Sequence, residues 1–343
     1  MLGQDAPLAM ESQVTDIAIL GAGAVGQLIC HQLSSAGLAV GLIARDSSVS
    51  NLEATDWQNL VFSPLSPSDA VTDCVSYRVP LLSADKAHLQ QVQLLIVCVK
   101  AYQVIDAIGP LLNKLSPQCH ILLLHNGMGP HLALAPMLNG RGLSLGTTSQ
   151  GVLRQSCWQV KQTGQGLTQL GHFTGPALPQ TLRDNLLHAI PNSEWVEAII
   201  PCLWQKLAVN AAINPLTALH QCPNGALAQA EFSETIASIL DELVDVAAHD
   251  GIELDRHFLE ERVYRVIELT AANFSSMHQD VANHRLTEID QINGYICDRA
   301  NAHGLSAATN AKMVRAIKQL SAITPPRQLY IQLILNRFNI SLP

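Results

Sequence analysis

The stretch Asp16-Ile17-Ala18-Ile19-Leu20 runs without a break into Gly21-Ala22-Gly23-Ala24-Val25-Gly26. Nothing else in the chain constrains its fold as strongly. The apolar run reads as a short buried strand. After the glycines, Val25, Leu28, Ile29 and Leu33 recur at helical spacing as far as Gly37, a good helix stop, and AVGLI at 39–43 reads as the next strand. Each glycine in G-x-G-x-x-G has its own task. The first permits a tight turn, the second lets the backbone approach a pyrophosphate, and the third lets helix and strand pack closely. The N-terminus of the helix then offers unpaired N–H groups and about half a positive charge to phosphates. In this strand–turn–helix setting the motif implies dinucleotide binding, with a ligand-free glycine turn as the alternative.

At the end of the second strand an acidic residue would bind the ribose 2′-hydroxyl of NAD, and an arginine would accept the 2′-phosphate of NADP. The pair here is Arg45-Asp46. Arg45 comes first and tips the reading to NADP, a solvated loop charge being the alternative. Further strands are expected at 94–99 (LLIVCV) and 120–124 (HILLL), with a helix carrying Val104, Ile105, Ile108 and Leu111 between them. Continuous apolar runs separated by helices indicate a parallel sheet covered on both faces. From 143 to 172 short segments rich in Gly, Thr and Gln suggest extra antiparallel or mixed strands flanking that sheet. From about 196 onward the pattern is mostly helical, punctuated by Pro215, Pro223 and Asn224-Gly225. The expected organisation is a polar, irregular and disordered leader over 1–14, a doubly wound α/β domain over 15–194 and an all-helical domain over 195–343.

Composition agrees with two folded domains. The chain has 343 residues, of which 48% are apolar and 14% charged, so it is long enough and apolar enough to bury full cores. Twenty basic against 28 acidic residues leave a net charge of -8, which argues against a nucleic-acid surface. No two of the eight cysteines form C-x-x-C and the 13 histidines show no H-E-x-x-H, so neither a disulfide framework nor a metal site is expected. No apolar run reaches the ~18 residues that would span a membrane, and the N-terminus lacks the basic and apolar regions of a signal peptide. A cytoplasmic, reduced protein is the expectation.

Three places carry candidate chemistry. In CLWQKLAVNAAINPLTALHQCPNG the polar residues Lys206, Asn210 and Asn214 are four apart, forming one stripe on a helix that is otherwise apolar nearly all round. Such a stripe points into a cleft. A desolvated lysine loses basicity and becomes a usable proton donor near neutral pH. The alternative is a lysine snorkelling to water, with asparagines capping the helix before Pro215. The second place is 273–290, where Asp280, His284 and Glu288 are also four apart and read as a solvated helix face. Ser276 and Glu288, twelve residues apart, would lie about 120° apart on one ideal helix. The third comprises Lys100 and the loop His125–Gly129, each directly after a predicted strand, where open parallel sheets bind ligands. For both, a simple connecting loop is the alternative.

Taken together these segments resemble the ketopantoate reductase family (2-dehydropantoate 2-reductase) from about residue 16 to 320. The likeness runs through Gly21–Gly26 with Arg45, VCVKAYQV at 97–104, LLLHNGMGP at 122–130, GTTSQG at 146–151, LWQKLAVNAAINPLTAL at 203–219, CPNG at 222–225, SSMHQD at 275–280 and HRLTEIDQINGY at 284–295. The resemblance implies a Rossmann domain followed by a helical domain like the C-terminal part of 6-phosphogluconate dehydrogenase. It implies NADPH-dependent reduction of 2-dehydropantoate to (R)-pantoate, in pantothenate and coenzyme A biosynthesis. Lys206 would be the proton donor and Glu288 would complete the site near substrate and cofactor, orienting the lysine or a substrate hydroxyl. Asn126, Asn210, Asn214, Asn224 and Ser276 would bind substrate. Gly21, Ala22, Gly23, Ala24, Val25, Gly26, Arg45, Lys100, Asn126, Val152 and Glu288 would lie against the cofactor. The implied partner is a small-molecule substrate, with no metal, nucleic acid or membrane, for a monomer or homodimer. Two departures stand out: Ser149-Gln150 follows GTT where the family has a histidine or similar residue, and the first 15 residues have no counterpart. The rival readings are a related NAD(P)-dependent reductase of another 2-keto or hydroxy acid, and a non-catalytic NADP(H)-binding sensor.

Overall fold

Strand β1 (Ile17–Leu20) is apolar and buried at every position, which fits a place in the middle of a sheet covered on both faces. The computed structural model describes residues 15–43, 55–65, 74–82 and 86–323. Their contacts divide the chain into two units. The first comprises residues up to Val99, Val104–Leu124 and Leu134–Glu197. The second comprises Lys100–Gln103, His125–Ala133 and the chain from Ala198.

In the first unit the strands after β1 are β2 (Val40–Ile43), β3 (Thr55–Ser63), β4 (Val75–Leu82), β5 (Leu94–Val97), β6 (His120–Leu124), β7 (Leu143–Thr148), β8 (Gly151–Ser156), β9 (Gln159–Gly164), β10 (Thr168–Thr174) and β11 (Ser193–Trp195). They form one sheet in the order β11-β10-β7-β6-β5-β1-β2-β4-β3-β9-β8. The run β7-β6-β5-β1-β2-β4 is parallel throughout. The chain leaves β1 toward β2 on one side and returns to β5 on the other, so the strand order reverses between β1 and β5. In open parallel sheets that reversal, at the carboxyl ends of the strands, is where ligands bind. Helix α1 (Ala24–Ser35) follows β1, α2 (Lys86–Leu89) precedes β5, α3 (Val104–Leu112) leads toward β6, and α4 (Pro130–Leu134) and α5 (Gln180–Ala189) follow later. Ile29, Leu33, Leu182 and Leu186 join Ile17, Ile19, Leu94 and Ile96 in one buried cluster. Burying one such side chain is worth roughly 1.5–3 kcal/mol.

Two features depart from the sequence reading. The local sequence pattern marks no element at β3 or β4. Alternation is broken in TDWQNLVFS, and Pro80 lies inside β4, which argues against a strand by itself. Antiparallel pairing of Asp56–Phe62 with Val75–Leu81 supplies what the local pattern does not. The segment 143–174 does not form a single flanking group. β7 extends the parallel core, β10 lies antiparallel beside it, and the β8–β9 hairpin pairs through β9 with β3 at the opposite edge. The leader over 1–14 lies outside the described residues.

The second unit is built around α6 (Ile199–His220), with α7 (Ala230–His249), α8 (Arg256–Leu269), α9 (Ser276–Ala282), α10 (Asn293–Ala302) and α11 (Ala308–Ile323). Helix α6 is buried on nearly every side. The sequence reading has Pro215 punctuating this region, yet the helix continues through it to His220 and stops at Gln221, a left-handed residue. A proline in a helix removes the N–H that would satisfy the carbonyl four residues earlier. Here that carbonyl, on Ala211, accepts instead from Asn293 Nδ2 at 3.1 Å. The same Nδ2 donates to Asn310 Oδ1 at 2.9 Å, and Asn310 Nδ2 donates to Glu242 Oε2 at 2.7 Å. A buried polar chain from α10, α11 and α7 therefore carries α6 past its proline. Among the described residues no helix is long and apolar enough to cross a membrane.

Candidate active site

The glycine turn leaves the end of β1 and opens α1. Gly21 has φ +109°, and a Cβ on it would stand 2.8 Å from Val99 Cγ1, so both conformation and space demand glycine. A Cβ on Gly26 would collide with the carbonyl oxygen of Gly21. These two glycines let the helix press against the turn and the end of β5. Gly23 is different. Its φ is -76°, and a Cβ there would meet nothing within 4 Å. No described neighbour requires glycine at that place, and the space beside it is open. Gly23 is also the N-cap of α1 and provides no side-chain cap, and the first turn holds no acidic residue. Its N–H groups are those an anion would take. Ala22, Ala24 and Val25 complete the turn. Val152, on β8 opposite Gln162, packs against the buried cluster of Leu28, Phe62 and Val160. Arg45 lies outside the described residues.

In the second unit the spacing of Lys206, Asn210 and Asn214 sets them on one face of α6. Both asparagines are buried and Lys206 is half-buried. Burial, followed by the nearby charge of Arg262, brings the Lys206 ammonium down to about 8 from its ordinary 10.5. No ion pair to Lys206 exists among the described residues. Because α6 runs on past Asn214, the asparagines are mid-helix residues and do not cap its end.

Asp280, His284 and Glu288 do not form a solvated helix face. Helix α9 ends at Ala282, and His284 has φ +54°, which breaks the periodicity that the expectation assumed. The angle between Ser276 and Glu288 on one helix lapses for the same reason. Asp280 and Glu288 are both buried, and they grip Lys100. Its Nζ lies 2.8 Å from Asp280 Oδ2 and 3.1 Å from Glu288 Oε2. Glu288 Oε1 also accepts the Ala101 N–H at 2.9 Å, and Arg285 Nε lies 3.1 Å from Asp280 Oδ1. Burial alone would lower the Lys100 ammonium, but the charges of Glu288 and Asp280 overcome it and push it up to about 12. The Asp280 carboxyl is raised, since burial outweighs Lys100 and Arg285. Lys100 therefore keeps its proton to higher pH than Lys206 does. Among the described residues Glu288 holds Lys100 and the Ala101 N–H, not Lys206.

The loop after β6 docks on the same turn. Met128 N–H donates to Gln291 O at 2.7 Å, and Gly127, at φ +75°, approaches so closely that a Cβ would stand 2.6 Å from that oxygen. His125 is lowered by burial, and its Nδ1 lies 2.9 Å from the Asn126 carbonyl. A carbonyl only accepts, so Nδ1 carries the proton of the neutral ring. Lys100, Asn126 and Glu288, from three distant parts of the chain, thus converge on residues 288–291. Asn224 is buried. Its Nδ2 donates to Thr270 Oγ1 at 2.9 Å and its Oδ1 has no partner. Ser276 is exposed at the start of α9, while Ser275 is buried, caps that helix and accepts from Thr217 Oγ1 of α6 at 2.8 Å. Sequence reasoning missed Asp280 and Ser275 as structural partners of the candidate residues. Their four-residue spacing and capping chemistry were visible, but not their burial.

Residues 17–175 match the family described as Ketopantoate reductase PanE/ApbA, and residues 198–321 match the one described as its C-terminal part. The chain belongs to the ketopantoate reductase family. It is 40% identical over 306 residues to the 2-dehydropantoate 2-reductase of Vibrio cholerae, an alignment spanning 89% of this chain and 97% of that protein. Among solved structures it resembles the PanE/ApbA family ketopantoate reductase of Ralstonia eutropha, with a TM-score of 0.77 and 25% identity over 90% of this chain and 99% of the other. D-mandelate dehydrogenase, in a ternary structure with NADH and anilino(oxo)acetate, shares the fold at a TM-score of 0.77, 24% identity and the same coverage. As a member of the ketopantoate reductase family, the chain is an oxidoreductase.

Proposed function

We propose that this ketopantoate reductase family member reduces the 2-keto group of 2-dehydropantoate to (R)-pantoate with NADPH, Lys206 giving the proton. The reading is carried by the Lys206–Asn210–Asn214 face of α6, in a chain whose two units both match the family. The glycine turn fits a dinucleotide, because Gly23 has open space beside it and the first turn of the uncapped α1 carries no acidic side chain. Gly21 to Gly26 would hold its pyrophosphate and Arg45 its 2′-phosphate, with Lys100, Asn126, Val152 and Glu288 also on the cofactor side. Bound there, the nicotinamide nucleotide supplies a hydride to the carbonyl carbon.

The residues of the chain do the rest. As the carbonyl oxygen gains negative charge, Lys206 donates a hydrogen bond and then its proton, leaving a neutral amine that solvent reprotonates. General-acid help of this kind is worth about 10²–10⁴-fold. Asn210, Asn214 and Asn224 orient the substrate oxygens, the unpartnered Oδ1 of Asn224 being an acceptor for a substrate hydroxyl. Ser276 and backbone N–H groups receive the carboxylate. Lys100, locked between two carboxylates, holds Glu288 in place. The enzyme would act in the cytoplasm as a monomer or homodimer.

The test is to mix the purified protein with 2-dehydropantoate and follow NADPH absorbance, with NADH in parallel. Rapid loss with NADPH and little with NADH is the expected result. Loss only with another 2-keto acid would replace the substrate, a preference for NADH would overturn the Arg45 reading, and tight NADPH binding without turnover would leave a sensor.

A further inference from the structure

Gln27 is wholly buried on α1, at a place where an apolar side chain of the same shape would cost nothing in desolvation. Its Nε2 donates to the carbonyl oxygen of Ala22 at 2.8 Å and to that of Cys157 at 2.9 Å, while its Oε1 is buried with no partner. The amide therefore serves through its donor end. One acceptor, Ala22, lies between the first two glycines of the turn. The other lies in the tight connection from β8 to β9, where Arg154 Nη2 donates to the same oxygen at 3.0 Å. Gln27 is itself held in place: its N–H donates to Gly23 O at 3.0 Å, and its carbonyl accepts from Tyr77 Oη at 3.1 Å.

Peptide geometry gives this arrangement a consequence. In a planar trans peptide the C=O of one residue and the N–H of the next point in opposite directions. The described residues contain no cis peptide. With the Ala22 carbonyl drawn toward Gln27, the Gly23 N–H is turned away from the buried side, beside the space that a Cβ on Gly23 would find empty.

We propose that Gln27 is a positioning residue of the phosphate-binding turn, its amide holding the Ala22 carbonyl inward so that the Gly23 N–H is presented to the pyrophosphate of the dinucleotide. The proposal rests on the dinucleotide reading above. It is tested with the full chain by measuring nucleotide Kd, by quenching or enhancement of nicotinamide fluorescence, together with steady-state constants. The nucleotide used is whichever of NADPH and NADH the wild type turns over.

Gln27→Met removes both hydrogen bonds and keeps the volume. It should raise Kd and KM for the nucleotide about tenfold, the worth of one well-placed hydrogen bond. Its kcat at saturation and its KM for the keto acid should stay within about twofold of wild type. Gln32→Met is the control for a merely structural effect, because Gln32 is buried on the same helix but donates to Gln150 Oε1 at 2.7 Å, away from the turn. It should lower Tm while leaving nucleotide affinity unchanged. Gln27→Asn, too short to reach Ala22 but still polar, should repeat the Gln27→Met result and stands in if that variant folds poorly. Wild-type affinity in both Gln27 variants, or an equal loss in Gln32→Met, overturns the proposal. A wild-type chain that binds neither nucleotide overturns the dinucleotide reading first, a result distinct from either.

Discussion

The glycine turn and the Lys100–Asp280–Glu288 cluster of the second unit are assembled in opposite ways. The turn offers backbone N–H groups, and all of it lies within ten residues of β1. Its side chains matter chiefly by being absent: Gly21 and Gly26 make room for the protein, and Gly23 leaves open space beside it. The cluster gathers side chains from far apart, Lys100 meeting Asp280 and Glu288 across intervals of 180 and 188 residues in the chain. A site made of backbone is announced by local composition. A cluster made of side chains from distant segments is announced only by residues whose purpose is unclear until they meet.

The sharpest way to break this contrast is Lys206→Met. If side chains carry the chemistry, kcat should fall about 10²–10⁴-fold with nucleotide Kd unchanged, as read by stopped-flow turnover and fluorescence titration. Turnover near wild type would remove Lys206 from the role of acid. A second comparison uses pH. Lys206 sits at about 8, so its protonated form is lost as pH rises through that value, and kcat for the reduction should fall about tenfold per unit above it. Lys100, at about 12, should not contribute to that limb. A flat profile from pH 7 to 10 at saturating substrates would contradict the assignment.

The glycines can be set against each other. Gly26→Ala forces a Cβ onto the Gly21 carbonyl and should cost about 3 kcal/mol of stability, seen in a denaturant midpoint. Gly23→Ala finds open space and should leave stability alone while weakening nucleotide binding about tenfold. Equal stability losses would mean that the two glycines do the same task. A further test is at Asn293. Its replacement by alanine frees the Ala211 carbonyl that Pro215 leaves without a backbone donor, and should cost about 1–2 kcal/mol with nucleotide affinity intact.

Much of this was legible beforehand because it is local. The apolar runs of β1, β5 and β6, the helical periods after the glycine turn, and the Lys206–Asn210–Asn214 spacing are all properties of contiguous segments. What was misread depended on partners. Pro215 looks like a stop, and becomes a mid-helix residue only because Asn293, far along the chain, supplies the missing donor. β3 and β4 form because they pair with each other, against a local pattern that includes a proline. Asp280 looks like a solvated charge because it lies four residues from His284 and eight from Glu288, yet it is buried against Lys100.

By itself, then, the sequence determined a strand–glycine turn–helix opening, a parallel α/β unit followed by helices, a lysine–asparagine stripe and the family to which these belong. Each is encoded at a spacing shorter than one secondary-structure element, where sterics and periodicity act directly. Tertiary structure alone decided which lysine is held between carboxylates and which is made less basic by burial, which polar residues are buried, and how a helix survives its proline. Those outcomes depend on desolvation and on hydrogen-bond partners brought from elsewhere in the chain, and neither is a property of a residue or of its neighbours in sequence.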